Sequence, residues 1–246
     1  MVVARIDDLL RQAISGLGPK PPDSAGQDAK RRYSERLSEC LALALADELR
    51  SRGLKEARPA SPGELDSSGA ERRMAGGLGA KRVDVTWATE EAGLLLAISI
   101  KSINFRDSRT KNFQKNLVNR RGDMLMEAVT LHRRFPYAVL GAFFFFDKDA
   151  ESDNTGKRKS TFINAHARLR LFTGRNDPAG RDEQFERFYL MLLDVSSKIA
   201  PVRAYEVGKA DVPIPLTEIL DGLLKLTAER NPDFYKFDAG DLRSVK

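Results

Sequence analysis

The run Tyr137–Phe146, YAVLGAFFFF, constrains the fold more than any other stretch of the chain. It carries no charge and follows Pro136, which stops a preceding helix. It is far shorter than the roughly 18 apolar residues a membrane-spanning helix needs, and no other run comes closer. It therefore reads as a buried central strand, closed by Asp147, with its phenylalanines in the core and not on a base-stacking platform.

The elements around this strand follow from periodicity. Residues 3–17 form an amphipathic opening segment, and GPKPPDSAGQDAK reads as a linker. Tyr33, Leu37, Leu41, Leu45 and Leu49 recur at helical spacing, so residues 31–52 form a long helix ending near Gly53. Residues 59–79 are rich in turn formers and read as a surface loop. Val83, Val85 and Trp87 alternate with Arg82, Asp84 and Thr86, and TEEAG separates this strand from a second, which makes a β-hairpin. Leu117, Met124, Ala128, Leu131 and Phe135 share one face of a helix. Further helices are read in TFINAHARLRLF and PLTEILDGLLKLTAER, and further strands in RFYLMLLDV and VRAYEV. The order predicts an α/β fold with a central mixed β-sheet flanked by helices.

Composition narrows the function classes. The N-terminus carries acids where a secretory signal has a basic region, which predicts a cytoplasmic protein with no membrane partner. The one cysteine, Cys40, excludes an intrachain disulfide and a cysteine-clustered zinc site, and it sits in an apolar helical run. The two histidines, His132 and His166, lack metal-ligand spacing. GGLGAK lacks the spacing of a phosphate-binding loop.

The net charge is +6, and its distribution matters more than its size: Lys101 to Arg121 holds seven Lys/Arg against the lone Asp107. This basic run directly follows the strand AISIK, which ends a buried apolar stretch on an amine. Asp84 is an acid in the partner strand, and a hairpin brings such positions together at one end of a sheet. Ser99 and Lys101, two residues apart, face the same side.

From RVDV through SIK the chain resembles the PD-(D/E)xK nuclease superfamily, in which a strand aspartate and a lysine of the hairpin partner surround a divalent metal. Val83 stands in place of the proline, and Ser99 in place of the second acid. Type II restriction endonucleases with a Ser-x-Lys motif show the same substitution and take their acid from the following helix, which NRRGDMLMEAVTLHRRFP resembles, with Glu127 at the matching glutamate. Asp123, one turn earlier, is the competing ligand.

The resemblance implies a restriction-endonuclease-like domain over 1–246 with residues 83–147 as the catalytic core, and the opening helix and linker, residues 1–30, read as an N-terminal appendage to it. It implies a metal-dependent endonuclease acting on double-stranded DNA as a homodimer. Asp84 and Glu127, or Asp123, would hold Mg²⁺, which suits a reaction at a phosphorus shielded by anionic oxygens. Lys101 would orient water or stabilise phosphate charge, and Ser99 would position a water or the displaced carboxylate. Arg106, Arg109, Lys111, Lys115, Arg120 and Arg121 would meet phosphates, with Asn112, Gln114, Asn116 and Asn119 among them for base reading. Glu35 or Glu39 of the long helix could add an acid. Two other readings fit the same residues: a noncatalytic DNA-binding module on this fold, and an interaction domain in which Asp84 and Lys101 merely pair.

Overall fold

The computed structural model describes residues 4–60, 72–76, 79–197 and 201–245. Helices α1 (Arg5–Ser15) and α2 (Gln27–Ser51) precede an antiparallel ribbon of β1 (Arg72–Gly76) and β2 (Gly79–Val83). There follow β3 (Val85–Thr89), β4 (Gly93–Ile103), α3 (Leu117–Arg134), β5 (Val139–Asp147), α4 (Thr161–Leu169), β6 (Arg187–Leu193), β7 (Val202–Glu206), β8 (Pro213–Ile214) and α5 (Leu216–Arg230). A hairpin of β9 (Tyr235–Asp238) and β10 (Asp241–Ser244) closes the described chain. No helix among the described residues is long and apolar enough to cross a membrane.

The centre is a six-stranded mixed sheet in the order β3-β4-β5-β6-β7-β8. β4, β5 and β6 run parallel, and the flanking strands are antiparallel to their neighbours. Parallel neighbours need crossovers, and α3 and α4 supply them. The alternation of a strand's side chains then explains the phenylalanine run. Phe143 and Phe145 enter a core built with α1, α2 and α5, while Phe144 and Phe146 enter a second core with α3 and α4. Each fully buried ring contributes about 2 kcal/mol, shared between two layers. A Cβ on Gly141 would meet Leu223 at 3.2 Å, so the glycine is what lets α5 lie this close to β5.

A buried ionic hub ties the layers where β5 and β6 begin. Glu186, fully buried, accepts from Arg175 at 3.1 Å, Arg230 at 2.7 Å and the Leu140 N–H at 2.7 Å, and lies 3.2 Å from His132. Burial alone would raise its pKa, but these partners outweigh that and hold it below the ordinary glutamate value.

Three sequence expectations change. Of the expected appendage over 1–30, the described residues 4–30 belong to the fold: Ile6, Leu10 and Ile14 of α1 are buried in the main core, and α2 begins at Gln27, inside the expected linker. The intervening turn is tied down, with Lys20 at 2.5 Å from Asp147 and Asp23 accepting the Arg106 N–H at 3.1 Å. Residues 59–79 are not wholly a loop, because Arg72–Gly76 forms β1, with Gly76 paired to Gly79; residues 61–71 and 77–78 lie outside the described residues. Third, the strand read through Val83, Val85 and Trp87 breaks at Asp84. Val83 packs in the α3 core and Val85 in the α2 core, which an unbroken strand would not allow for residues two apart.

Candidate active site

The break at Asp84 creates the site. β3 pairs with β4 only as far as Val85 opposite Ile98. There the chain bends, and Asp84 Oδ2 accepts the Ile100 N–H at 2.6 Å. Beyond this point β4 has no ladder partner on that side among the described residues, while its other side stays paired with β5 to Ile103 opposite Phe146. The carboxylate thus replaces a strand in satisfying an edge amide.

The pleat of β4 decides where the motif points. Ile98 and Ile100 belong to the α2 core, whereas Ala97 and Ile103 belong to the α3 core. Ser99 and Lys101 share the latter face, so they meet α3. On α3, Met124, Ala128 and Leu131 form the buried stripe, and Glu127 lies within it, also buried. Lys101 Nζ is 3.3 Å from Glu127 Oε2 and 3.5 Å from Asp84 Oδ2. Three elements therefore deliver two carboxylates to one ammonium.

The electrostatics of this group are tightly coupled. Burial raises the Glu127 pKa, Lys101 pulls it down in part, and Asp84 pushes it up again, so it stays above the ordinary glutamate value. Burial disfavours the Lys101 ammonium, but Glu127 and Asp84 outweigh it and the pKa is raised. Ser99 lies close enough to draw the Glu127 carboxyl down. Even so, Ser99 Oγ and Glu127 Oε1 are buried without a completed hydrogen bond.

Asp123 is elsewhere. Its side chain is 58% exposed and 3.6 Å from Arg120, while that of Glu127 is 6% exposed, so the two acids one turn apart occupy different environments. Among the described residues, no three His, Cys, Asp or Glu side chains group together as a metal cage.

Asp84 and Lys101 open onto a cavity of about 800 Å³. One wall is the polar face of α2, where Gln27, Lys30, Arg31, Ser34, Glu35, Ser38 and Glu39 recur at three- and four-residue spacing opposite the buried Tyr33, Leu37 and Leu41. Glu35 and Glu39 are thus on the cavity, exposed and in no ion pair among the described residues. The other wall is the segment after β4, including Asn104, Arg106, Lys115 and, from α3, Arg120.

The basic candidates divide. Arg106 lines the cavity and pairs with Asp149 at 2.9 Å; Lys115 lines it and pairs with Asp107 at 2.6 Å. Arg109 lines a smaller neighbouring hollow with Asn112 and Gln114, and Lys111 is exposed at φ 55°. Arg121 points to the far side of α3, where its guanidinium lies 5.8 Å from the Phe172 ring centroid. Asn116 lines the cavity and Asn119 is exposed on α3. The lone acid of the segment organises it. Asp107 accepts from Lys115, from the Arg109 and Thr110 N–H groups and from the Thr110 hydroxyl, which holds its carboxyl far below the usual range, Lys115 contributing most. Buried Asp153 then fastens the segment to α4 by accepting from the Phe113 N–H at 3.1 Å and the Thr161 N–H at 2.6 Å.

Sequence reasoning missed Ser34, Ser38, Ser102, Asn104, Lys30 and Arg31 as cavity residues. The α2 residues were legible as the polar half of an amphipathic helix, but nothing in the spacing says that this half faces a cavity.

Compared with protein-family models, with curated proteins and with solved structures, the chain matches none.

Proposed function

We propose that the chain is a metal-dependent deoxyribonuclease of the restriction-endonuclease-like class, hydrolysing phosphodiester bonds of double-stranded DNA as a homodimer. The observation that carries this reading is the convergence of Asp84, Lys101 and Glu127 from a bend, a strand end and a helix, beside a cavity with a basic wall. An ion pair that only stabilised the fold would not need a cavity.

The donor set fits a hard divalent cation. Two carboxylates face one point of positive charge, and buried Glu127 Oε1 and Ser99 Oγ lack partners. Asp84 and Glu127 would hold Mg²⁺, with Ser99 beside Glu127 and Asp123 too exposed to share it. When bound, the cation supplies Lewis acidity toward a phosphoryl oxygen and a more acidic water. Lys101, held by its two carboxylates, either orients the attacking water or meets the charge developing on the phosphate oxygens. Arg106, Lys115 and Arg120 would meet neighbouring phosphates. Cutting both strands of a duplex symmetrically calls for two copies related by a two-fold axis.

The second reading, a noncatalytic DNA-binding module, draws on Ser99, which adds no charge where a third ligand would help. One experiment separates them. Purified protein is incubated with mixed duplex DNA in Mg²⁺ or EDTA, alongside Asp84→Ala, Lys101→Ala, Glu127→Ala and Asp123→Ala. Metal-dependent cleavage lost in the first three and kept in Asp123→Ala is expected. Cleavage that survives at Asp84 or Lys101 overturns the site, and binding without cleavage selects the second reading.

A further inference from the structure

Asn104, just past the end of β4, is 4% exposed and lines the cavity. Its Nδ2 donates to Ser34 Oγ of α2 at 3.1 Å and to Ser102 Oγ of β4 at 2.9 Å. Each hydroxyl accepts from the amide, and neither donates to an acceptor among the described residues. A hydroxyl has one proton, and when its lone pair is engaged from behind, that proton is free to swing toward the cavity. Asn104 Oδ1 has no partner either, so the amide's engaged end is the one that sets the serines. Lys30, which donates to the Asp23 carbonyl, and Arg31, 3.3 Å from Asp28, line the same wall together with Glu35 and Glu39.

We propose that Ser34 and Ser102, set by Asn104, form a phosphate-binding subsite on the α2 wall of the cavity, beside the Asp84–Lys101–Glu127 group. Two neutral O–H donors suit a phosphate ester: the hydroxyls fix its orientation, and the cavity lining as a whole, six Lys/Arg against four Asp/Glu, draws the anion in. That the ester is DNA, held at a phosphate next to the scissile one, rests on the nuclease reading; the anion subsite does not.

Inorganic phosphate is titrated by calorimetry into the full chain without divalent metal. Wild type binds, and the double variant Ser34→Ala/Ser102→Ala weakens binding by more than about tenfold, since each lost hydrogen bond to a charged group is worth at least about that factor. Ser34→Thr/Ser102→Thr, which keeps both hydroxyls, stays within about twofold. Asn104→Asp, which offers the serines an acceptor and turns their protons inward, also loses phosphate. Undiminished binding in the alanine pair with an intact fold by circular dichroism overturns the proposal, as does a wild type that ignores phosphate. Phosphate binding in a protein that leaves duplex DNA unbound supports the subsite and removes the nuclease reading.

Discussion

Asp84 accepts the backbone N–H of Ile100 across 2.6 Å, where the register of Val85 opposite Ile98 would have set Val83 opposite Ile100. One side chain thereby ends a strand pairing, and the same oxygen lies 3.5 Å from Lys101 Nζ.

This double duty separates Asp84→Asn from Asp84→Ala. Asparagine keeps an oxygen for Ile100, so its melting temperature stays within about 3 °C of wild type, while the proposed cleavage falls by about a thousandfold. Alanine leaves a strand amide without its acceptor, costing about 1–3 kcal/mol and lowering the midpoint by roughly 3–10 °C. Calorimetry beside a plasmid-nicking assay checks both, and equal melting of the two variants would contradict the role given to the Ile100 bond.

Lys101→Met leaves Asp84 and Glu127 facing each other without a counter-charge. At pH 8 the loss is about 3 kcal/mol, the scale of a broken buried pair. The deficit shrinks toward pH 5, because Glu127, already raised by burial, takes up a proton and ceases to need the ammonium. For wild type the sign runs the other way at high pH: the raised Lys101 pKa gives a contribution present below about 10.5 and lost as pH rises through the folded value. Denaturant melts of both proteins from pH 5 to 11 test the pair of trends.

Glu186→Gln leaves Arg175 and Arg230 without their carboxylate in a fully buried site, with an expected cost of about 3–5 kcal/mol and a midpoint lower by roughly 10 °C or more. The hub sits where β5 and β6 begin, so at a temperature where the variant is folded, the proposed duplex DNA binding stays within about twofold of wild type, about the scatter of a distant substitution. A large loss of affinity without loss of stability would place the hub in the site.

His166 is buried against Phe162 and Tyr205 and accepts the Gly208 N–H on Nδ1 at 2.9 Å, and burial pushes its pKa down to about 4. It therefore stays neutral, as the Nε2–H tautomer, through the range where a free histidine titrates. The unfolded chain binds its proton near 6.5, so the folded state loses stability from this group as pH falls below that value and on through 4. Proton–nitrogen spectra of the imidazole from pH 8 to about 5.5 show no titration at this ring, and a shift centred near 6.5 would contradict the burial.

How far the sequence carried the structure depends on whether a signal was local. The phenylalanine run, the leucine ladder of α2 and the stripe of α3 each state their own burial, and the sheet with its helices follows. The packing of α1 was invisible, since Ile6, Leu10 and Ile14 announce an amphipathic helix but not its partner. β8, β9 and β10 are four residues or shorter, and such strands carry little period to read. In the site, Asp84 and Lys101 stood out as charges among apolar strand residues. Asp123 and Glu127 were inseparable by spacing, yet a four-residue step turns about 40° around the helix axis, enough here to carry Asp123 from the stripe to solvent. Arg121 was adjacent in sequence to the cavity residue Arg120 but lies around the helix from it, against Phe172.

The early end of β3 has another consequence. A strand margin left bare is a template onto which a neighbouring molecule can add its own strand, and proteins commonly block such margins with charge. Along Ile100–Ile103 the margin is guarded by Asp84, which occupies the Ile100 amide, and by the charged face of α2 across the cavity. Removing Asp84 therefore exposes the molecule to concentration-dependent strand addition, visible by light scattering, quite apart from anything it does to a phosphodiester.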